Sequence, residues 1–212
     1  MNLHRPLVAA ALFALAALIV PRAAHAAAGE GWTVDFESAK KTAASDNKDI
    51  LMDFTGSDWC PPCINLNKRV FQSDTFKKTA PDHFVLMYVD FPRDKSHQSQ
   101  EEVAQNERLK NKYPIGGYPT IFLADAAGRP YFRTVGYGGD AAEAYTKNLV
   151  ERTEIRKTRD ANLKKAAEAT GVEKAKLLDK ALAPIDAELV LAFYSEEMEQ
   201  IVKLDPENED GI

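Results

Sequence analysis

Phe54-Thr55-Gly56-Ser57-Asp58-Trp59-Cys60-Pro61-Pro62-Cys63 is the stretch that decides the fold. Ile50 to Thr55 is an apolar run holding one acid, Asp53, and reads as a short buried strand. Gly56 to Asp58 has turn composition. Beyond it the period changes: Cys63, Leu66 and Val70 fall at i, i+3 and i+7, one face of a helix. Cys60 is therefore expected where strand gives way to helix, with Pro61 at the first helical position, where a missing N–H is tolerated. A thiolate there meets the free N–H groups and the positive end of the helix dipole. The sequence thus predicts Cys60 as an accessible nucleophile of lowered pKa, and Cys63, almost one turn further in, as its partner. A ring closed over so few residues adds little stability through chain entropy, so such a bridge suits redox cycling better than stapling.

Trp59-Cys60-Pro61-Pro62-Cys63 after an apolar strand resembles a thioredoxin-fold active site. Gly117-Tyr118-Pro119-Thr120, followed by Ile121-Phe122-Leu123, resembles the cis-proline loop that faces the CxxC in that family. The order strand, CxxC, helix, strand, helix, Tyr-Pro-Thr, strand fits from about Phe36 to Tyr137. Phe54-Thr55-Gly56 and Val89-Asp90-Phe91-Pro92 resemble a bacterial exported branch. The resemblance implies an α/β fold with a central mixed sheet flanked by helices. It implies a protein-disulfide reductase or isomerase in which Cys60 attacks a substrate disulfide and Cys63 resolves the mixed disulfide. Trp59 and Pro61 on one side, and Tyr118, Pro119 and Thr120 on the other, would then bind substrate, and Tyr118–Pro119 is expected to be cis. Thioredoxins carry a buried acid on the active-site strand, one residue closer to the first cysteine than Asp53. Asp53 is thus either the proton acceptor for Cys63 or an acid paired with a lysine such as Lys48.

Upstream, Met1 to Ala26 reads as a signal peptide. Arg5 supplies the positive end, Leu7 to Val20 is an apolar run of fourteen residues, and Ala24-His25-Ala26 has a cleavage-site form. The run is shorter than the roughly 20 residues that span a bilayer, although an uncleaved anchor is the alternative. Cleavage would shift the net charge from −5 to −7. An acidic chain argues against nucleic acid as a partner. The expected setting is the periplasm or another exported compartment, with protein disulfides as substrates, a membrane electron donor, and no stable membrane insertion once the signal is removed. Both cysteines lie in the motif, so no disulfide framework exists and no cofactor is expected. Zinc wants four ligands, and neither a second CxxC nor a Cys/His pair is present. Copper(I) accepts two sulfurs, which leaves copper delivery as an alternative function, and a partner-docking adaptor is another.

Along the rest of the chain, Trp32 to Asp35 reads as an edge strand and Phe36 to Asn47 as a helix burying Ala39 and Ala43. Ser73 or Asp74 is expected to cap a helix over Thr75 to Thr79. His83 to Phe91 reads as the central strand, stopped by Pro92. Arg93 to Gln100 reads as a polar loop carrying a solvated His97, and Glu101 to Lys112 as a weakly amphipathic helix. Asp125 to Gly128 is a turn between hairpin strands. Asp140 to Lys157 holds the closing helix, which puts the thioredoxin-like domain at 30–157. An all-helical extension is expected at 158–212: helices at 174–183 and 185–204, the second with Val190, Phe193, Met198, Ile201 and Leu204 on one face. Gly171, Ala175 and Leu204-Asp205-Pro206 resemble a tetratricopeptide-type pair. A single such unit favours an extension packed on the domain over a separate docking module.

Overall fold

The computed structural model describes residues 29–208. The expected signal peptide lies outside the described residues. The core is β2 (Asp49–Thr55), every residue of which is buried. A strand covered on both faces reads as a continuous apolar run, and this one does so apart from Asp49 and Asp53. On one edge β2 pairs in parallel with β3 (Phe84–Asp90), and β3 with the short edge strand β1 (Trp32–Thr33). On the other edge β2 pairs antiparallel with β4 (Thr120–Ala124), which turns into β5 (Pro130–Val135). The sheet order is β1-β3-β2-β4-β5.

Side-chain alternation then divides the molecule. Phe54 faces a layer in which Tyr113 and Phe122 pack on its ring. This layer lies under α1 (Phe36–Asp46) and α4 (Gln100–Lys112), tied together where Gln105 accepts from the Phe36 N–H and donates to the Val34 carbonyl. Asp53 and Thr55 face the opposite layer. It is covered by α2 (Pro61–Leu66), its π-helical continuation (Asn67–Phe71), α3 (Asp74–His83) and α5 (Ala142–Glu168). Capping follows the sequence: Asp35, Ser73 and Ser99 accept from N–H groups at the starts of α1, α3 and α4. Left-handed Asn47 closes α1. α3 runs on to His83 with Pro81 inside it, further than Thr79, and a 3₁₀ turn (Lys95–His97) occupies the polar loop with His97 exposed.

α5 continues without a break to Glu168, so one helix runs from the sheet into the tail. One feature of the tail differs from expectation. The final helix is two, α7 (Ala187–Phe193) and α8 (Ser195–Leu204), interrupted at Tyr194. The break has a polar cause. The Tyr194 hydroxyl donates to the Pro130 carbonyl (3.0 Å) and accepts from Arg159 (2.7 Å), which also pairs with Asp125 (2.8 Å). Buried polar groups must find partners, and meeting these pulls Tyr194 out of helical geometry. Leu189 and Tyr194 join the main core, and α6 (Gly171–Leu182) packs between α5 and α8. No helix among the described residues is long and apolar enough to cross a membrane.

Candidate active site

β2 delivers the chain to Gly56, whose carbonyl accepts from the Cys60 N–H at 3.0 Å. The turn in between is strapped to the segment after β3 by two acids. Asp90 accepts from the Ser57 N–H (2.9 Å) and hydroxyl (2.5 Å), and Asp58 accepts from the N–H groups of Arg93 and Asp94 (3.0 Å each). The Trp59 indole folds back over Gly56 and donates to the Phe91 carbonyl at 2.7 Å. Gly56 is required for space: a Cβ there would lie 2.4 Å from the indole ring. Gly56→Ala should therefore displace Trp59 and destabilise the fold by about 1–3 kcal/mol, the usual range for overpacking. Denaturant titration in a Trp32→Phe background, where Trp59 is the sole tryptophan, checks this. An unchanged midpoint and emission maximum would refute it.

Cys60 is the residue that begins α2, with Pro61 and Pro62 at the first helical positions. The two cysteines are joined in a disulfide, Cα atoms 5.3 Å apart, and the Cys63 N–H points at the Cys60 sulfur at 3.3 Å. One expectation is corrected. Cys60 is not accessible in this oxidised form, for both cysteines are only 3% exposed. Its cover is the loop before β4, where the Tyr118 carbonyl oxygen lies 3.5 Å from Cys60 Sγ. Tyr118–Pro119 is cis, as expected. The Tyr118 ring stands between Trp59 and Phe91, with both ring centroids at 5.6 Å. Thr120 is fully buried, and its hydroxyl donates to the Gly117 carbonyl at 2.7 Å, so this side chain shapes the loop rather than presenting an outward face. Pro61, Pro62 and Ile64 are exposed beside the disulfide.

The electrostatics concentrate behind Cys63. Asp53 is 2% exposed, and its Oδ1 has no hydrogen-bond partner. Burial pushes its carboxyl well above the usual range, and the charge of Asp90 adds to the rise. Burial also raises Asp90, against the opposing hydrogen bonds from Ser57. Asp49, not Asp53, is the acid of this strand with a cationic partner: Arg156 Nε lies 2.6 Å from it, and Tyr131 donates to it at 2.8 Å. A cleft of about 240 Å³ opens beside Cys63, lined by Thr55, Ser57, Asn67 and Tyr88. The π turn supplies Asn67 to this wall, in keeping with the habit of such turns to sit at sites. Among the described residues, no group of three or more His, Cys, Asp or Glu side chains is arranged to hold a metal ion.

Trp59, Cys60, Pro61, Cys63, Tyr118 and Pro119 are thus gathered at one end of the sheet, with Asp53 beneath. Sequence reasoning gave no role to Ser57, Asp90, Phe91 or Ile64. The only signal for the middle pair was Val89-Asp90-Phe91-Pro92, whose acid proves to hold the turn and whose aromatic proves to flank Tyr118.

A family model described as Thioredoxin-like domain matches residues 36–149. The chain is 34% identical over 131 residues to the Disulfide bond reductase DsbH of Chlamydia pneumoniae, a match covering 62% of this chain and 77% of that protein. It is 30% identical over 111 residues to the Thioredoxin-related protein DsbJ of the same organism, covering 51% of this chain and 31% of DsbJ. Among solved structures, a DsbH oxidoreductase aligns with a TM-score of 0.55 at 31% identity, covering 61% of this chain and 89% of that one.

Proposed function

The chain belongs to the thioredoxin-like domain family and is a thiol–disulfide oxidoreductase working through Cys60 and Cys63, and from that premise we propose that it runs as a reductase of protein disulfides in an exported compartment. The Cys60 thiolate attacks one sulfur of the substrate disulfide and expels the other as a thiolate. Cys63 then gives up its proton and attacks Cys60, releasing the second substrate thiolate. One dithiol is oxidised and one disulfide reduced, a two-electron exchange. Asp53 is the acceptor we propose for the Cys63 proton. Burial and the charge of Asp90 hold its carboxyl well above the usual range, which makes it a stronger base than an exposed carboxylate. Trp59, Pro61 and Tyr118 form the substrate-facing surface, with the buried Pro119 and Thr120 holding its loop. A chain reducing disulfides in an oxidising compartment needs re-reduction, and a membrane electron donor docking on that surface would supply it.

The observation that carries the direction is the donor set around Cys60. Pro61 and Pro62 have no N–H, so within the motif only Cys63 donates to the sulfur, at 3.3 Å. The Tyr118 carbonyl oxygen, 3.5 Å away on the other side, opposes negative charge there. A weakly stabilised thiolate means a weakly stabilised reduced form, hence a reducing potential. The similar protein DsbH is a disulfide bond reductase by name, which points the same way. We expect the Cys60–Cys63 couple in the range of isomerases and thioredoxin, roughly −180 to −270 mV. Equilibration with glutathione or dithiothreitol buffers, read by mass after thiol trapping, measures it. A value near the roughly −120 mV of a strong oxidant would overturn the reductase reading.

A further inference from the structure

The loop that approaches Cys60 runs from Pro114 to Pro119 and contains Gly116-Gly117, two residues with no side chain to pin them. It is held instead by its carbonyl groups. The Gly117 carbonyl accepts from the Thr120 hydroxyl and the Pro119 carbonyl from the Gly136 N–H, both at 2.7 Å. These contacts fix the exit. The entrance is fixed by Arg133 of β5, whose Nη1 donates to the Pro114 carbonyl at 2.9 Å.

Arg133 is itself oriented by the helical tail. Nη1 carries two N–H groups, and the second reaches Glu188 Oε2 at 2.6 Å, while Nη2 lies 3.4 Å from each carboxylate oxygen of Asp186. Asp186 and Glu188 are the first acids of α7, and Asp186 also caps that helix. At the far end of α7 the Phe193 ring packs on Tyr113 at 4.9 Å, the residue before Pro114. The ammonium of Lys112 sits 5.6 Å from the same ring. α7 therefore grips residues 112–114 from both ends.

We propose that the C-terminal helices serve substrate recognition: α7 sets Arg133, and Arg133 acts as a positioning residue that holds the entrance of the Tyr118–Pro119 loop for extended protein substrates. This rests on the reading of that loop as the substrate-facing surface. The plainer account is a surface ion pair, and most of those contribute little. Three observations favour the stronger role: the Arg133 side chain is only 13% exposed, one nitrogen serves the tail and the loop together, and the aromatic contact at Tyr113 is independent of charge. A freed entrance leaves the cysteine chemistry intact but lets Tyr118 leave its place between Trp59 and Phe91. Protein substrates that need an ordered loop then bind less well, and a small disulfide does not notice.

The test uses the full chain, with insulin and glutathione disulfide as substrates. Glu188→Gln should raise KM for insulin roughly three- to tenfold, the span of couplings carried by contiguous contacts, with kcat, the glutathione disulfide rate and the redox potential within about twofold of the parent. Arg133→Gln and Glu188→Gln together should be non-additive in KM. Tyr118→Ala is the control for the underlying reading. If Tyr118→Ala raises the insulin KM and Glu188→Gln does not, the proposal fails and the loop reading stands. An insulin KM indifferent to Tyr118→Ala removes both. A parallel loss on both substrates with a lowered Tm would show general destabilisation and overturn the proposal.

Discussion

Cys60→Ser should abolish disulfide exchange, while Cys63→Ser should convert the protein into a trap for its substrates. The asymmetry follows from position. Cys60 begins the helix, and its sulfur receives the Cys63 N–H, so it is the thiol whose ionised form is stabilised. Cys63 sits one turn inside and is itself the donor, its N–H directed at the Cys60 sulfur. Loss of Cys60 removes the attacking group, and a fall of about a thousandfold or more in turnover is the scale of such deletions. Loss of Cys63 leaves attack intact but removes resolution, so mixed disulfides accumulate stoichiometrically and appear on non-reducing gels. Alkylation of the reduced protein separates the two thiols without mutagenesis: at mildly acidic pH Cys60 should react first. Preferential labelling of Cys63 would reverse the assignment.

What could be read in the sequence was what depends on neighbours in the chain. The change of period at Cys63, the proline at the first helical position and the caps at Ser73 and Asn47 are local signals, and they placed α1, β2 and α2 to within a residue or two. Tyr118–Pro119 was legible because Gly-Tyr-Pro-Thr before an apolar strand is itself a short pattern. The larger misses are long-range. Ser57 and Asp90 are 33 residues apart, and nothing local marks a serine as the ligand of a distant acid. The extra residue between Asp53 and Cys60 falls in the turn that these two residues and Asp58 tie down. Tyr194 interrupts a segment whose apolar spacing is helical throughout, because Arg159 and the Pro130 carbonyl bind its hydroxyl from other elements. The burial of Cys60 likewise depends on a loop 58 residues away.

Asp53→Asn should make the protein both more stable and slower, and the pair of effects should separate with pH. Asp53 is completely enclosed, one oxygen has no partner, and the nearest charge that acts on it is that of Asp90, of the same sign. An acid so placed costs stability, which is what motivates the proposed role for Asp53 in the chemistry. Its folded-state pKa lies above the unfolded value. The protonated form therefore supports the fold fully below the unfolded value near 3.8, and that support is lost as pH rises through the folded value. Asparagine cannot ionise and keeps the shape. The variant should match the parent near pH 4 and exceed it near pH 8 by about 1–3 kcal/mol, the order of the linkage free energy of a displaced carboxyl, which asparagine does not carry. At 2–4 °C per kcal/mol for a chain of this size, that is roughly 2–12 °C in Tm. Resolution of the mixed disulfide should slow about a hundredfold at neutral pH, the lower range for loss of a positioned acid–base group, while the first attack by Cys60 is unchanged. Thermal melts at the two pH values and single-turnover kinetics with a trapped substrate read the two effects separately. A stability gain equal at both pH values would remove the buried anion from the account, and an undiminished resolution rate would leave Asp53 without a part in the chemistry.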